Sequence, residues 1–220
     1  MSGEDTRELV QELVRDLEPV RPIARLRYAA GVAIGLWLVV AVLGIALMGL
    51  RPDWSEMLLA QRAAGWIFGA LALAGLAGVV AGLALGVPGR EGLVRIALAV
   101  GVLGLALSAG IASVLVWRSP AGGFGAPGSG ELGCLAIACA VGLLPALSVV
   151  AFLGRAAAFR PLASVLAAAA GTAALGSLAA EASCLLSNPL HVLLGHVLAP
   201  VAGVLLLTLP LLIALRRISR

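Results

Sequence analysis

The chain has 220 residues, of which 61% are hydrophobic and 12% charged, with a formal net charge of +4. A soluble domain carries roughly 45–50% apolar and about 25% charged residues, so the composition excludes an ordinary soluble core and fits a bilayer. The positive balance does not point to nucleic acid, because most of the basic residues, all of them Arg, stand at the ends of apolar runs, where they mark topology.

Residues 1–27 form the one sizeable polar segment. Between Asp5 and Glu18, the residues Leu9, Val10, Leu13, Val14 and Leu17 recur at helical spacing, with Glu8, Glu12, Arg15 and Asp16 off the stripe. Pro19 and Pro22 stop this amphipathic helix, and Arg21, Arg25 and Arg27 lead into the first apolar run. A helix of about 14 residues is marginal alone in water and needs a surface to lie on. The segment is too long and too acidic for the basic start of a signal peptide, so no cleavage is expected.

Six apolar runs follow: Tyr28–Leu50, Arg62–Val87, Leu93–Trp117, Leu132–Leu153, Leu162–Leu186 and His191–Leu215. Each is long enough to cross about 30 Å of hydrocarbon. The expected fold is therefore all-α, a polytopic membrane bundle of six transmembrane helices preceded by a short cytoplasmic amphipathic helix. Residues 28–220 make the membrane domain. The connections are too short to fold by themselves, and the third, from Ser119 to Gly130, is rich in Gly and Pro. Six spans put both termini on one side, with twelve Arg on that side against Arg51, Arg62 and Arg118 on the other. The positive-inside rule makes the termini cytoplasmic.

Gly31/Gly35, Gly65/Gly69 and Gly78/Gly82/Gly86 have the spacing that lets helix backbones approach closely, and Gly104, Ser108 and Ala112 continue it. Pro145, Pro200 and Pro210 interrupt apolar runs and are expected to kink or loosen them. Asn188-Pro189 reads as an N-cap followed by a first-turn proline, opening the sixth span.

The chemistry concentrates between Glu131 and His196, a stretch holding all three cysteines and both histidines. The topology sets Cys134 near the outer end of the fourth span and Cys184 near the outer end of the fifth. His191 opens the sixth span, and His196 follows about a turn and a half further in. Cys139 is about 140° round the helix from Cys134, off its face. Singly, these Cys and His residues read as buried packing groups. Glu181 changes that, because a carboxylate inside a span is costly and is usually partnered or functional. Two chemistries fit the group: a reversible Cys134–Cys184 disulfide in an oxidising compartment, or a soft-metal or zinc site of thiolates and imidazoles with carboxylate help.

Leu13–Pro22 (Leu-Val-Arg-Asp-Leu-Glu-Pro-Val-Arg-Pro), the Gly133-Cys134-Leu135 that opens the fourth span, and Cys184 followed by His191 and His196 together resemble the integral-membrane anti-sigma factors of the NrsF (negative regulator of sigma F) type. The resemblance covers essentially the whole chain. It implies a bacterial inner-membrane protein that holds an extracytoplasmic-function sigma factor until a stress signal arrives. It also implies that two signature cysteines, at Cys134 and Cys184, sense metal or oxidant stress. Cys139 has no role in that pattern.

On this reading Leu9, Val10, Leu13, Val14 and Leu17 bind the sigma factor. Burying them yields roughly 7–15 kcal/mol at about 1.5–3 each, against association costs of about 4–15 kcal/mol. Charged contacts from Arg15, Asp16 and Arg21, or the membrane face, are therefore expected to contribute. The partners are a sigma factor and lipid, with no direct nucleic acid. No resident cofactor is expected, and a soft metal or zinc enters as the signal. The competing class is a small transporter or channel subunit with an ion path near Glu181, although no inverted repeat is evident. An enzyme is not expected, since both a CxxC and an HExxH are missing from the chain.

Overall fold

The structure, a computed structural model, describes residues 11–12, 14, 25–59, 62–119, 129–156, 158–186 and 188–219. Of the expected sigma-binding stripe it describes Val14, which is helical and 60% exposed. Leu9, Val10, Leu13, Arg15, Asp16, Leu17 and Arg21 lie outside the described residues.

The regular structure among the described residues is all helical, without strands. In chain order they form α1 (Leu26–Met48), a short α2 (Trp54–Leu59), α3 (Arg62–Leu85), α4 (Glu91–Arg118), α5 (Ser129–Arg155) and α6 (Pro161–Ser183). A three-residue α7 (Pro189–His191) then runs through a π-helical turn, Val192–Val197, into α8 (Ala199–Ile218). Six helical stretches are long and apolar enough to cross a membrane, the last running continuously from Pro189 to Ile218. Their ends lie within four residues of the apolar runs read from the sequence.

The bundle is built around α6. Its sequence, Ala-Ala-Ala-Ala-Gly-Thr-Ala-Ala-Leu-Gly from Ala167 to Gly176, leaves almost no side-chain bulk, so α3, α5 and α8 come in to the backbone itself. A Cβ on Gly78 of α3 would sit 2.6 Å from the Gly171 Cα, and one on Gly142 of α5 would sit 2.6 Å from the Thr172 carbonyl oxygen. Such contact gains dispersion energy where no hydrophobic force joins helices in lipid. Val79, Leu83, Val149, Val150, Leu153, Val165, Leu175 and Leu211 fill the gaps around it. Trp37 of α1 donates its indole N–H to the Leu175 carbonyl at 2.8 Å, a polar tie in an otherwise apolar wall.

One expectation about packing changes and another is met. Gly31, Gly35 and Gly69 have open space at their missing Cβ, whereas Gly78 and Gly82 cross the α6 backbone closely and Gly86 meets Leu153 of α5. At Pro200 the helix is loosened, as expected: the π turn ends just before it, and the proline sits in the first turn of α8, where its missing N–H is tolerated.

The first connection is more ordered than its length suggested. Gly49 turns the chain out of α1 with φ 86°, a left-handed value that suits glycine. Arg51 then donates its backbone N–H to the Ala182 carbonyl at 2.9 Å. Trp54 and Met57 of α2 pack on Ile67, Phe68 and Leu71, which fixes this connection against α3.

Candidate functional site

Four side chains converge at the end of the bundle opposite to Leu26 and Ile218. Cys134 comes from the second turn of α5, Cys184 from the C-cap of α6, and His191 and His196 from α7 and the π turn. One donor atom from each lies within 4.8 Å of all the others. The sulfurs of Cys134 and Cys184 are 3.4 Å apart with both thiols free, and Cys184 Sγ is 3.2 Å from His191 Nε2. Cys139 is buried and free, and it is not in the group.

The contrast between two equally spaced pairs explains the geometry. Cys134–Cys139 and His191–His196 are both i, i+5. In an α-helix that spacing leaves side chains about 140° apart, and Cys139 accordingly faces away. The π turn uses i→i+5 hydrogen bonding, as in Leu198 N–H to the Leu193 carbonyl at 3.0 Å. It stacks the two histidines, with ring centroids 5.2 Å apart and edge to face. Asn188 caps the start of this element, its Oδ1 accepting from Leu190 N at 2.8 Å and His191 N at 3.1 Å, as the Asn-Pro pair implied. Gly195 leaves room for the cluster: a Cβ there would meet the His191 ring at 3.4 Å and Cys134 at 3.5 Å.

Each imidazole has a carboxylate beside it. His191 Nδ1 is 3.7 Å from Glu131 Oε1, and His196 Nε2 is 2.9 Å from Glu181 Oε2. His196 Nδ1 lies 3.3 Å from the Ser177 carbonyl, which can only accept, so Nδ1 carries the hydrogen. In the neutral ring, Nε2 then presents a lone pair to a carboxylate oxygen. Two acceptors at that distance require a positive centre between or beside them, a proton or a metal ion. His191 Nδ1, His196 Nε2 and Glu181 Oε2 are all buried without an aligned hydrogen bond. Two thiols and two imidazoles match the donor set and count of a tetrahedral zinc-type site, and the groups on the far side of the rings, Glu131 at His191 and the Ser177 carbonyl at His196, are of the usual orienting kind. These residues therefore fit a soft or borderline divalent cation.

Glu181 has a second partner that the sequence reading missed. Arg51 Nη1 donates to Glu181 Oε1 at 2.8 Å, and both side chains are buried. Arg51 Nε and Nη2 donate to the two oxygens of Asp53 at 2.8 and 2.9 Å. The hydrogen bond from Arg51 holds the Asp53 carboxyl below the usual carboxylate range, and the same bond pushes the guanidinium further up. In the sequence Arg51 reads as a topology marker alone. The signal that could have found it is Glu181 itself: an acid inside a span calls for a basic partner at the same depth, and Arg51 closes the first span at that end. A cavity of ≈ 330 Å³ borders Glu181, walled by Met57, Ile67, Phe68, Leu115 and Val192.

The fold is that of a multi-pass membrane-type helical protein whose buried Arg51, Glu181, His191 and His196 are gathered at one end with two cysteines. No curated protein and no solved structure matches the chain. The family model for NrsF, negative regulator of sigma F, matches residues 13–217. The chain belongs to the NrsF family, and as its name describes, to the negative regulators of a sigma factor.

Proposed function

We propose that the chain is a bacterial inner-membrane anti-sigma factor with both termini cytoplasmic. Residues 1–27 hold an extracytoplasmic-function sigma factor, and residues 28–220 carry a periplasmic sensor. The observation that carries the reading is the convergence of Cys134, Cys184, His191 and His196 within 4.8 Å from three separate spans. A cation bound there ties α5, α6 and the last span together. The signal then has a continuous path, because the last span runs unbroken to Ile218, which packs on Gly154 at the far end of α5. A ligand shifts such a bundle only between arrangements close in energy, and a tenfold preference is worth about 1.4 kcal/mol. The inhibitory state is therefore poised within a few kcal/mol of release.

The signal we favour is a thiophilic metal ion, since His196 Nε2 is buried without an aligned partner and faces another acceptor, Glu181 Oε2, at 2.9 Å. The 3.4 Å sulfur contact favours a second reading, a Cys134–Cys184 disulfide formed as the two thiols give up two electrons and two protons to a peroxide-class oxidant. Output of the sigma-dependent promoter separates them. In the metal reading, the cadmium response is lost in Cys134→Ser/Cys184→Ser and in His191→Ala/His196→Ala. In the disulfide reading, the peroxide response is lost with the cysteines and kept without the histidines. An unchanged response in the double cysteine variant removes the sensor and leaves the sigma-regulator family assignment standing.

A further inference from the structure

Glu181 stands beside the four donors without being one of them. Its Oε2 is 2.9 Å from His196 Nε2, close enough for a small shift of the carboxylate to bring it onto a bound ion. What restrains it is Arg51. The guanidinium donates to Oε1 at 2.8 Å, and it is fixed in turn by the two Asp53 oxygens at 2.8 and 2.9 Å. Its backbone N–H is tied to Ala182, next to Glu181, at 2.9 Å. The side chain thus has one orientation, set from outside the cluster.

We propose that Arg51 is a positioning residue that keeps Glu181 out of the coordination sphere and thereby sets the site's preference for thiophilic over oxygen-seeking cations. The inference rests on the metal reading above. Two thiolates and two imidazoles select zinc- and cadmium-like ions, whereas carboxylate oxygen suits manganese, magnesium and calcium. Charge acts in the same direction. Two thiolates and a divalent ion sum to zero, and Arg51 offsets the buried carboxylate of Glu181, while its other partner, Asp53, is 45% exposed and screened by solvent. Released, Glu181 supplies a fifth, hard donor and one more negative charge. The planar fork of Arg51 also matters, because it reaches two carboxylates at once, which the single ammonium of a lysine cannot reproduce.

The test uses the full chain in detergent under reducing conditions, with Co²⁺ as the probe and Cd²⁺/Mn²⁺ competition as a second readout. Wild type is expected to bind one Co²⁺ with the intense visible bands of a tetrahedral ion. Arg51→Gln is expected to give the weaker spectrum of a five-coordinate ion and to lower the Cd²⁺ over Mn²⁺ preference about 10–100-fold, the range of outer-shell substitutions. Arg51→Gln/Glu181→Gln removes the added donor and returns the tetrahedral spectrum, a rescue that a merely structural role of Arg51 would not produce. Arg51→Lys shifts both readouts the same way by a smaller factor, and decides the matter if Arg51→Gln does not assemble. A wild-type spectrum and preference in the Arg51 variants overturns the inference while leaving the metal reading intact. A wild-type chain that takes up no Co²⁺ overturns the metal reading, and the inference with it.

Discussion

Arg51 and Glu181, 130 residues apart in the chain, meet at 2.8 Å with both side chains buried. A buried pair of this kind is weak evidence for stability as a pair, but removing one partner leaves the other charge stranded. Glu181→Ala is therefore expected to destabilise the bundle by about 3–5 kcal/mol. Arg51→Met/Glu181→Met, which removes both charges, is expected to cost much less. Unfolding in mixed micelles, followed by circular dichroism, compares the two; equal losses would dissolve the argument.

The outer member of that network responds to acid. Asp53 is held below its ordinary range by the hydrogen bond from Arg51. A depressed folded-state pKa gives stability that is fully present above the unfolded value, near 3.8, and is lost as pH falls through the folded value. Melting temperature measured between neutral pH and about pH 2.5 should thus fall more steeply in wild type than in Asp53→Asn. Parallel curves would mean that the contact contributes nothing to folding.

Glycine positions should sort by what faces them. A Cβ on Gly176 would strike the Ala138 carbonyl, part of a helix that cannot yield, so Gly176→Ala is expected to cost about 1–3 kcal/mol. Gly35→Ala meets open space and is expected to be neutral or to stabilise by about 0.5–1 kcal/mol. Both are read from the same unfolding curves, and a larger loss at Gly35 would mean that the helix crossing is assigned to the wrong series.

On the cytoplasmic side of the proposal, Leu13→Glu puts a charge into the middle of the apolar stripe. It should abolish capture of the sigma factor by the full-length protein in a pull-down, whereas Glu8→Gln, off the stripe, should retain capture. Retention by both would move the interface elsewhere.

Much of this architecture was readable from the residues. The six spans follow from run length alone, and the grouping of Cys134, Cys184, His191 and His196 follows once their ends are counted. What stayed hidden has physical reasons. A helix that is apolar all round carries no periodicity to say which face packs, so Gly31 and Gly35 looked as promising as Gly78 and Gly82. The π turn leaves no propensity signal; Pro200 was the one hint, and it reads equally well as a kink. Trp54–Leu59 is too short for a period to emerge. Arg51 is one of the three Arg on the minority side of the positive-inside count, and nothing in that count says that it is buried.

The bond from Trp37 to Leu175 also sets an order of events. The two residues are 138 positions apart. A growing chain lengthens by roughly 5–20 residues each second, so the first span waits roughly 7–28 s for its indole to find a carbonyl. In that interval α3 and α5 are made with the faces that pack on α6 uncovered, since α6 is the fifth span to arrive. A nascent chain stopped short of Pro161 would hold four spans and no centre, and is the form that cellular proteolysis would meet first.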